Sequence, residues 1–262
     1  MNRSQRRAVY HGVLAAFAAA ALVIPARAQE GPANIRSLSF YTVKPDRIGD
    51  FQAEIKEYEA VLTKAGAGAS HYHSMWHSLT GPNEYVLADY STKWADFDST
   101  PDPKLKEVQA DLQRIGTRIT QCTESLHRII EEVLPDLSLP GGAGVPKMIS
   151  VLRSRVRPDK VDEYLGLVKN EVLPAAKKSG LTVFSVSRVR YGAPTTEFIS
   201  VAGLSKWADL DGGFGVPKGM GEEGYQRFLE KIRPLLVESE YDMYRFQPDL
   251  SYLPAAGSSA AH

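Results

Sequence analysis

The stretch VKPDRIGDF, residues 43–51, returns as VRPDKVDEY at residues 156–164, which is 113 positions further along the chain. Two more pairs keep this spacing: STKWADFD (91–98) matches LSKWADLD (204–211), and PDLSL (135–139) matches PDLSY (248–252). Chance similarity seldom holds one register over a hundred residues, so the pattern predicts an internal tandem duplication without gaps. The residues between the copies, PGGAGVP at 140–146, are rich in glycine and bounded by proline, and we predict a linker over 140–147.

Each copy has the pattern of a β-α-β-β-α-β unit. The first copy predicts strands at 35–43, 70–79, 84–90 and 126–134, with helices at 47–65 and about 103–122. We therefore predict an α+β fold of two tandem ferredoxin-like repeats, at 29–139 and 148–253, followed by a disordered tail at 254–262. One such unit leaves one sheet face bare, so we expect both sheets to close into a single α+β barrel within the chain. We interpret the glycine-rich segment 212–224 as a mobile loop.

The first 28 residues have the features of a secretory signal peptide: a basic start, twelve apolar residues, and small residues at Ala26 and Ala28. We predict cleavage after Ala28 and a periplasmic or secreted product with no membrane span. The segment carries four arginines and no acids, so 27 basic and 31 acidic residues remain. This acidic balance argues against nucleic-acid binding. One cysteine, Cys122, excludes an internal disulfide.

The repeated motifs resemble those of the dimeric α+β barrel superfamily, which includes antibiotic-biosynthesis-type monooxygenases, haem-degrading monooxygenases and NIPSNAP-like proteins. The resemblance lies in YTVKPDRIGDFQAEI (41–55) and YVLADYSTKWADFD (85–98) and in their second copies. It implies binding of a flat apolar or aromatic molecule, sometimes haem, between sheet and helices, and in several members oxidation without a cofactor. Many monooxygenase members have a histidine after the tryptophan motif; no histidine follows Trp94 or Trp207 in this way.

The candidate site comes from SHYHSMWHS, residues 70–78. Alternation along a strand puts His71, His73, Met75 and His77 on one face. At the 113-residue spacing the three histidines align with Phe184, Val186 and Arg190, and Asp89 on the neighbouring strand aligns with Ala202. A duplicated scaffold does not need these polar residues, so they indicate an addition made in the first copy alone.

Three interpretations of this strand remain open: a polar strand with ordinary hydrogen bonds, a pocket for an organic ligand or haem, and a divalent-metal site. Trp94 recurs as Trp207, which favours packing over ligand contact. We hypothesise an exported small-molecule-binding protein, monomer or homodimer, that could act as a cofactor-independent monooxygenase; a non-catalytic NIPSNAP-like protein and a periplasmic metal-binding protein are the alternatives. The candidate proton-handling residues are His71, His73 and Asp89, and the candidate ligand contacts are Met75, His77, Tyr85 and Trp94.

Overall fold

Eight antiparallel strands close into one barrel within the part of the chain that the computed structural model describes, residues 35–66, 71–91, 93–98, 102–140 and 144–253. The predicted signal peptide and tail, and residues 141–143 of the linker, lie outside these ranges. The strands are β1 (Ile35–Val43), β2 (His73–Ser78), β3 (Glu84–Ser91), β4 (Thr123–Val133), β5 (Met148–Val156), β6 (Phe184–Tyr191), β7 (Glu197–Leu204) and β8 (Leu236–Phe246). Their order around the barrel is β1-β3-β2-β8-β5-β7-β6-β4, which confirms an α+β barrel formed within one chain.

The helices lie in the connections of each half. They are α1 (Ile48–Ala65), α2 (Gln109–Cys122), α3 (Val161–Leu167), α4 (Leu173–Lys178), α5 (Gly215–Met220) and α6 (Glu222–Ile232). A π-helical turn over Val168–Val172 joins α3 to α4. Pro174 follows this turn; because proline has no N–H and its ring crowds the preceding turn, the wider π turn lets the helix continue. No helix among the described residues is long and apolar enough to cross a membrane.

Equivalent elements begin at a constant spacing. β1 begins at Ile35 and β5 at Met148, 113 positions later, and the same interval separates β3 from β7 and β4 from β8. The two four-stranded halves are joined into the barrel at two junctions. At one, Trp76 pairs with Phe246 in β2–β8; at the other, Glu131 pairs with Val189 in β4–β6.

Apolar side chains form three buried clusters. One fills the barrel interior with residues from both halves, among them Phe40, Trp76, Val151 and Val189. The other two lie outside the barrel, each between the helices and sheet of one half. The segment after the last strand of each half crosses to the opposite half: Leu137 packs in the outer cluster of the second half, and Leu250 packs in that of the first.

Several element boundaries differ from the sequence prediction. β2 is shorter than the predicted 70–79, because it begins at His73 and ends at Ser78, so His71 precedes the strand. The second helix begins at Gln109 and not near 103, since Pro103 starts a short 3-10 turn capped by the Asp102 side chain, which accepts a bond from the Lys104 N–H at 2.9 Å. β4 begins at Thr123, directly after α2 and earlier than predicted.

The glycine-rich segment 212–224 was wrongly interpreted as a mobile loop, because it contains α5 and the start of α6. Gly219 explains part of its composition. A Cβ atom there would lie 1.9 Å from the carbonyl oxygen of Ala175, so only glycine allows α5 to approach α4 this closely.

Candidate functional site

A polar cluster, formed by Glu59, His73 and Asp89, lies beneath α1 on the outer face of the first-half sheet. His73 of β2 pairs across the strands with Asp89 of β3, so both side chains project from the same face. Met75 on that face belongs to the outer cluster with Phe51 and Ile55 of α1, which shows that α1 covers it. The predicted alternation along β2 is therefore confirmed for His73, Met75 and His77.

His73 forms the centre of the cluster. Its side chain is almost fully buried, with 2% of the residue exposed. Nε2 lies 2.5 Å from Oε1 of Glu59 on α1, and Nδ1 lies 3.1 Å from the carbonyl oxygen of His71. A carbonyl and an ionised carboxylate only accept hydrogen bonds, so this geometry suits an imidazolium that donates from both nitrogens.

The electrostatics of His73 agree with this geometry. Burial acts to lower the pKa of His73, but the hydrogen bond and charge of Glu59 and the charge of Asp89 outweigh it, and the pKa is raised. Sequence reasoning missed Glu59. The signal that could have found it is the 113-residue spacing, which places Val172 at the equivalent position.

Asp89 is a carboxyl group that titrates near neutrality. Burial raises the pKa of Asp89 to about 6, while the charges of His73 and Arg128 act in the opposite direction. Around it, burial together with the charge of Asp89 raises the pKa of Tyr58 to about 12, so that this phenol stays protonated. A carboxyl group with a pKa near the working pH is suited to accept a proton as a general base.

The cluster opens toward solvent at one side. Asp89 and Tyr41 are half-buried, and Arg128 on β4 is exposed. Arg128 donates from Nε to the Ser39 hydroxyl at 2.9 Å, and Ser39 is itself buried. A carboxylate, phenols, a hydroxyl and a guanidinium thus meet at one edge of the sheet face that α1 covers.

The second half has apolar residues at the equivalent place. Strand pairing puts Phe184 opposite Ala202, as His73 lies opposite Asp89, so Phe184 is the structural counterpart of His73. The ungapped alignment, which matched His73 with Val186, is therefore two residues out of register in this strand. Val172, Phe184 and Ala202 all belong to or pack against the apolar cluster of the second half.

The other predicted site residues lie in different surroundings. His71 is half-buried before β2, and its Nε2 lies 3.4 Å from Oδ2 of Asp102. His77 contacts Asn83 at 3.1 Å through Nε2 and stacks on Tyr85 at 4.4 Å. Two predicted ligand contacts, Met75 and Tyr85, are core residues with 0% and 1% exposure.

The observed ring contacts of Trp94 are with residues outside the polar cluster. It lies in a short 3-10 turn after β3, is 42% exposed, and its ring contacts Phe97 and Tyr191. Trp207 occupies the equivalent turn of the second half and is 47% exposed. The structure therefore brings together His73 and Asp89 of the predicted residues, adds Glu59, and leaves Trp94 apart.

The donor set can be compared with the needs of haem and metal ions. An axial imidazole requires a nitrogen lone pair, whereas both ring nitrogens of His73 are engaged by Glu59 and by the His71 carbonyl. His73 therefore fits a hydrogen-bonding role and does not fit haem ligation. Across the described ranges, no group of three or more His, Cys, Asp or Glu side chains is placed to hold a metal ion.

Comparison with known proteins identifies the fold. No protein-family model matches the chain, and no curated protein matches it. Among solved structures, a candidate monooxygenase from Lactobacillus acidophilus NCFM aligns with a TM-score of 0.56 at 10% identity, over 82% of this chain and 94% of that one. A second candidate monooxygenase, from Fusobacterium nucleatum subsp. nucleatum, aligns at 0.57 and 11% identity, over 82% and 93%.

A third solved structure, of an anthrone oxidase-like protein, has a TM-score of 0.55 at 16% identity and covers 82% of this chain and 91% of that one. At these identities the likeness concerns the fold. The chain shares with these three structures an α+β fold, which in the described residues has a closed eight-stranded barrel.

Proposed function

We propose that the first half of the barrel binds an apolar or aromatic small molecule beside α1 and that Asp89 removes a proton from it. The observation that supports this is the buried polar cluster of Glu59, His73 and Asp89, at a place where the second half has Val172, Phe184 and Ala202. Burying charged groups costs free energy, and apolar replacements are often neutral or stabilising. Because the other half folds without such a cluster, its presence here is better explained by function than by stability.

The proposed reaction is oxidation of an activated methylene group by dioxygen without a cofactor. Asp89 accepts the proton of the C–H bond, and the carbanion that remains reduces dioxygen to a hydroperoxide, which loses water to give a ketone. One methylene group and one dioxygen molecule thus give one ketone and one water molecule, so no external reductant is needed. The charge of the His73 imidazolium, beside Asp89, can stabilise developing negative charge, and the protonated carboxyl group of Asp89 returns its proton to the peroxide.

Dioxygen uptake with anthrone tests this proposal, because anthrone has an activated methylene and one of the similar structures is that of an anthrone oxidase-like protein. We expect chelator-treated protein to consume one dioxygen per ketone formed. The D89N variant, which keeps the shape of the side chain without its basicity, should lose at least about a hundredfold in kcat/KM. Binding without uptake would reduce the proposal to the non-catalytic, NIPSNAP-like role, and equal rates in both proteins would contradict it.

Two further parts of the proposal concern origin and compartment. The tandem duplication is supported by the constant 113-residue spacing of β1 and β5, β3 and β7, and β4 and β8, together with the three repeated motifs.

Export to the periplasm or medium is supported by the signal-peptide pattern of residues 1–28, which lie outside the described residues.

A further inference from the structure

The last described segment of the chain, residues 247–253, packs on the first half and is here called the C-terminal arm. The backbone N–H of Gln247 donates to the carbonyl oxygen of Met75 at 2.9 Å, and the N–H of Met75 donates to the Ser251 hydroxyl at 2.9 Å. The N–H of His73 donates to the carbonyl oxygen of Tyr252 at 2.8 Å. The arm therefore runs beside β2 at the point where His73 begins the strand.

The side chain of Tyr252 lies over the polar cluster. Its ring centroid is 6.4 Å from that of His73 and 5.3 Å from that of Tyr72. Burial raises the pKa of Tyr252, with contributions from Tyr72 and Glu59, while a hydrogen bond with the Thr63 side chain acts in the opposite direction. Tyr252 thus contacts β2 through its ring and α1 through its hydroxyl group.

The equivalent arm of the second half has an apolar residue at this position. Leu139 lies 113 positions before Tyr252, and its backbone N–H donates to the carbonyl oxygen of Phe184 at 2.8 Å. Phe184 is the counterpart of His73, so both arms meet the same strand position. A tyrosine occurs where the arm covers Glu59 and His73, and a leucine where it covers apolar residues.

We propose that Tyr252 is a positioning residue for the Glu59–His73 pair: its ring shields the pair from water, and its hydroxyl ties the arm to α1. The proton-handling cluster of the first half then depends on the last residues of the second half. The physical claim concerns the pair itself, and only its relevance to turnover rests on the function proposed above. A water-shielded ion pair is stronger than a hydrated one, because water screens its charges.

The pKa of the His73 imidazole is a direct measure of how well the Glu59–His73 pair is shielded from water. The titratable side chains that face it from the surrounding elements are Tyr58 and Glu59 of α1, Asp89 of β3 and Tyr252 of the arm. Glu59 and Asp89 raise the pKa of His73 against the effect of burial. Admitting water weakens both interactions and also relieves the burial that lowers the pKa. Because the two carboxylates outweigh burial in the intact cluster, hydration moves the pKa back toward its ordinary value, and we expect the removal of Tyr252 to lower it.

The test is an NMR titration of the His73 imidazole in the full-length chain without ligand. We expect Y252A to lower the pKa of His73 by at least about half a unit, and Y252F, which keeps the ring, to hold it near the wild-type value. L139A is the matched control, since it truncates the equivalent side chain of the other arm and should leave the pKa unchanged. Should Y252A fail to fold, Y252L is expected to give a smaller shift in the same direction.

An unchanged His73 pKa in Y252A, or in Y252L if Y252A does not fold, would overturn the proposal. A shift of the same size in L139A would overturn it as well, since general loosening would then explain both results. The titration needs neither ligand nor turnover, so its outcome is independent of the oxidation assay. A shift in Y252A beside full activity in D89N would support the role of Tyr252 and reject the catalytic proposal.

Discussion

Asp89, His73 and Glu59 are ionisable side chains held between α1 and the sheet, beside the apolar outer cluster of the first half. The charges of His73 and Glu59 balance each other, with Nε2 of His73 2.5 Å from Oε1 of Glu59. Asp89 keeps a pKa of about 6, because burial is the largest influence on its carboxyl group. A group in this state is costly for folding and useful for proton transfer. Both consequences can be measured on the same variant.

For stability, the D89N variant should unfold less readily at neutral pH. Between the ordinary value of 3.8 and about 6, folded protein holds a proton on Asp89 that the unfolded chain releases, so stability falls as pH rises through this window. At pH 7, D89N should gain about 1–3 kcal/mol in urea unfolding, and at pH 3.5 it should gain little. A loss of stability at pH 7 would show that the charged carboxylate is well paired.

For activity, kcat/KM should rise with pH around an apparent pKa of about 6, as Asp89 loses its proton. It should fall again at higher pH, above the raised pKa of His73, if the imidazolium is required. The two groups interact, so the profile reports the pair. D89N should lose the rising limb, and a rising limb that survives in D89N would assign the base to another residue.

His73 and Asp89 could be predicted because each is polar in the first half and aligns with an apolar residue in the second. Glu59 could not be found from the histidine pattern, since its role depends on how α1 lies over β2. The ungapped alignment also failed locally: His77 pairs with Tyr85, eight residues later, whereas Arg188 pairs with Phe198, ten residues later. The hairpin of the second half is thus two residues longer, and the segment before it is two residues shorter. The two differences cancel, so the 113-residue spacing is restored after the hairpin and does not reveal them.

Among the helices of the second half, α4 and α5 pack closely, and this contact requires glycine at position 219. A G219A substitution would place a methyl carbon against the backbone of Ala175, so one helix must move. We expect a loss of about 2 kcal/mol or more in the free energy of unfolding, measured by urea denaturation. G212A is the matched control, because a Cβ at Gly212 meets no atom within 4 Å. Equal stability of the two variants would contradict the close packing.

Element type was easier to predict than element ends. The strand alternation in β2 and the helical spacing in α1 follow from local patterns, and both elements are present. The helices in segment 212–224 could not be predicted, because glycine lowers helix propensity and its use here depends on contact with α4.

At the scale of the whole molecule, the two halves share one barrel and exchange arms through Leu137 and Leu250. A single half would expose the apolar barrel interior and lose the arm that covers its outer cluster. Apolar burial contributes roughly 25 cal/mol per Å², so the exposed area is strongly unfavourable. We expect residues 29–140 alone to aggregate or self-associate in size-exclusion chromatography. A monomeric half with cooperative melting would argue against the shared barrel.

Residues 1–28 have the pattern of a signal peptide, from which we expect an exported protein. If residues 1–28 are a signal peptide, protein recovered from the periplasm or medium should begin at Gln29. Mass spectrometry of the intact chain measures this directly. Detection of the functional protein in the cytoplasm with residues 1–28 still attached would exclude export.

We propose that the polar cluster of the first half is the functional site and is not needed for folding. The E59V/H73F/D89A variant tests it most directly, because it installs the side chains found at the equivalent positions of the second half, Val172, Phe184 and Ala202. Thermal unfolding should be measured for this variant and for wild type, alone and with a set of aromatic compounds that includes anthrone. We expect the variant to melt at or above the wild-type temperature without ligand, and we expect compounds that stabilise the wild type to leave the melting temperature of the variant unchanged. Equal stabilisation of both proteins by the same compounds, or unfolding of the variant without ligand, would contradict it.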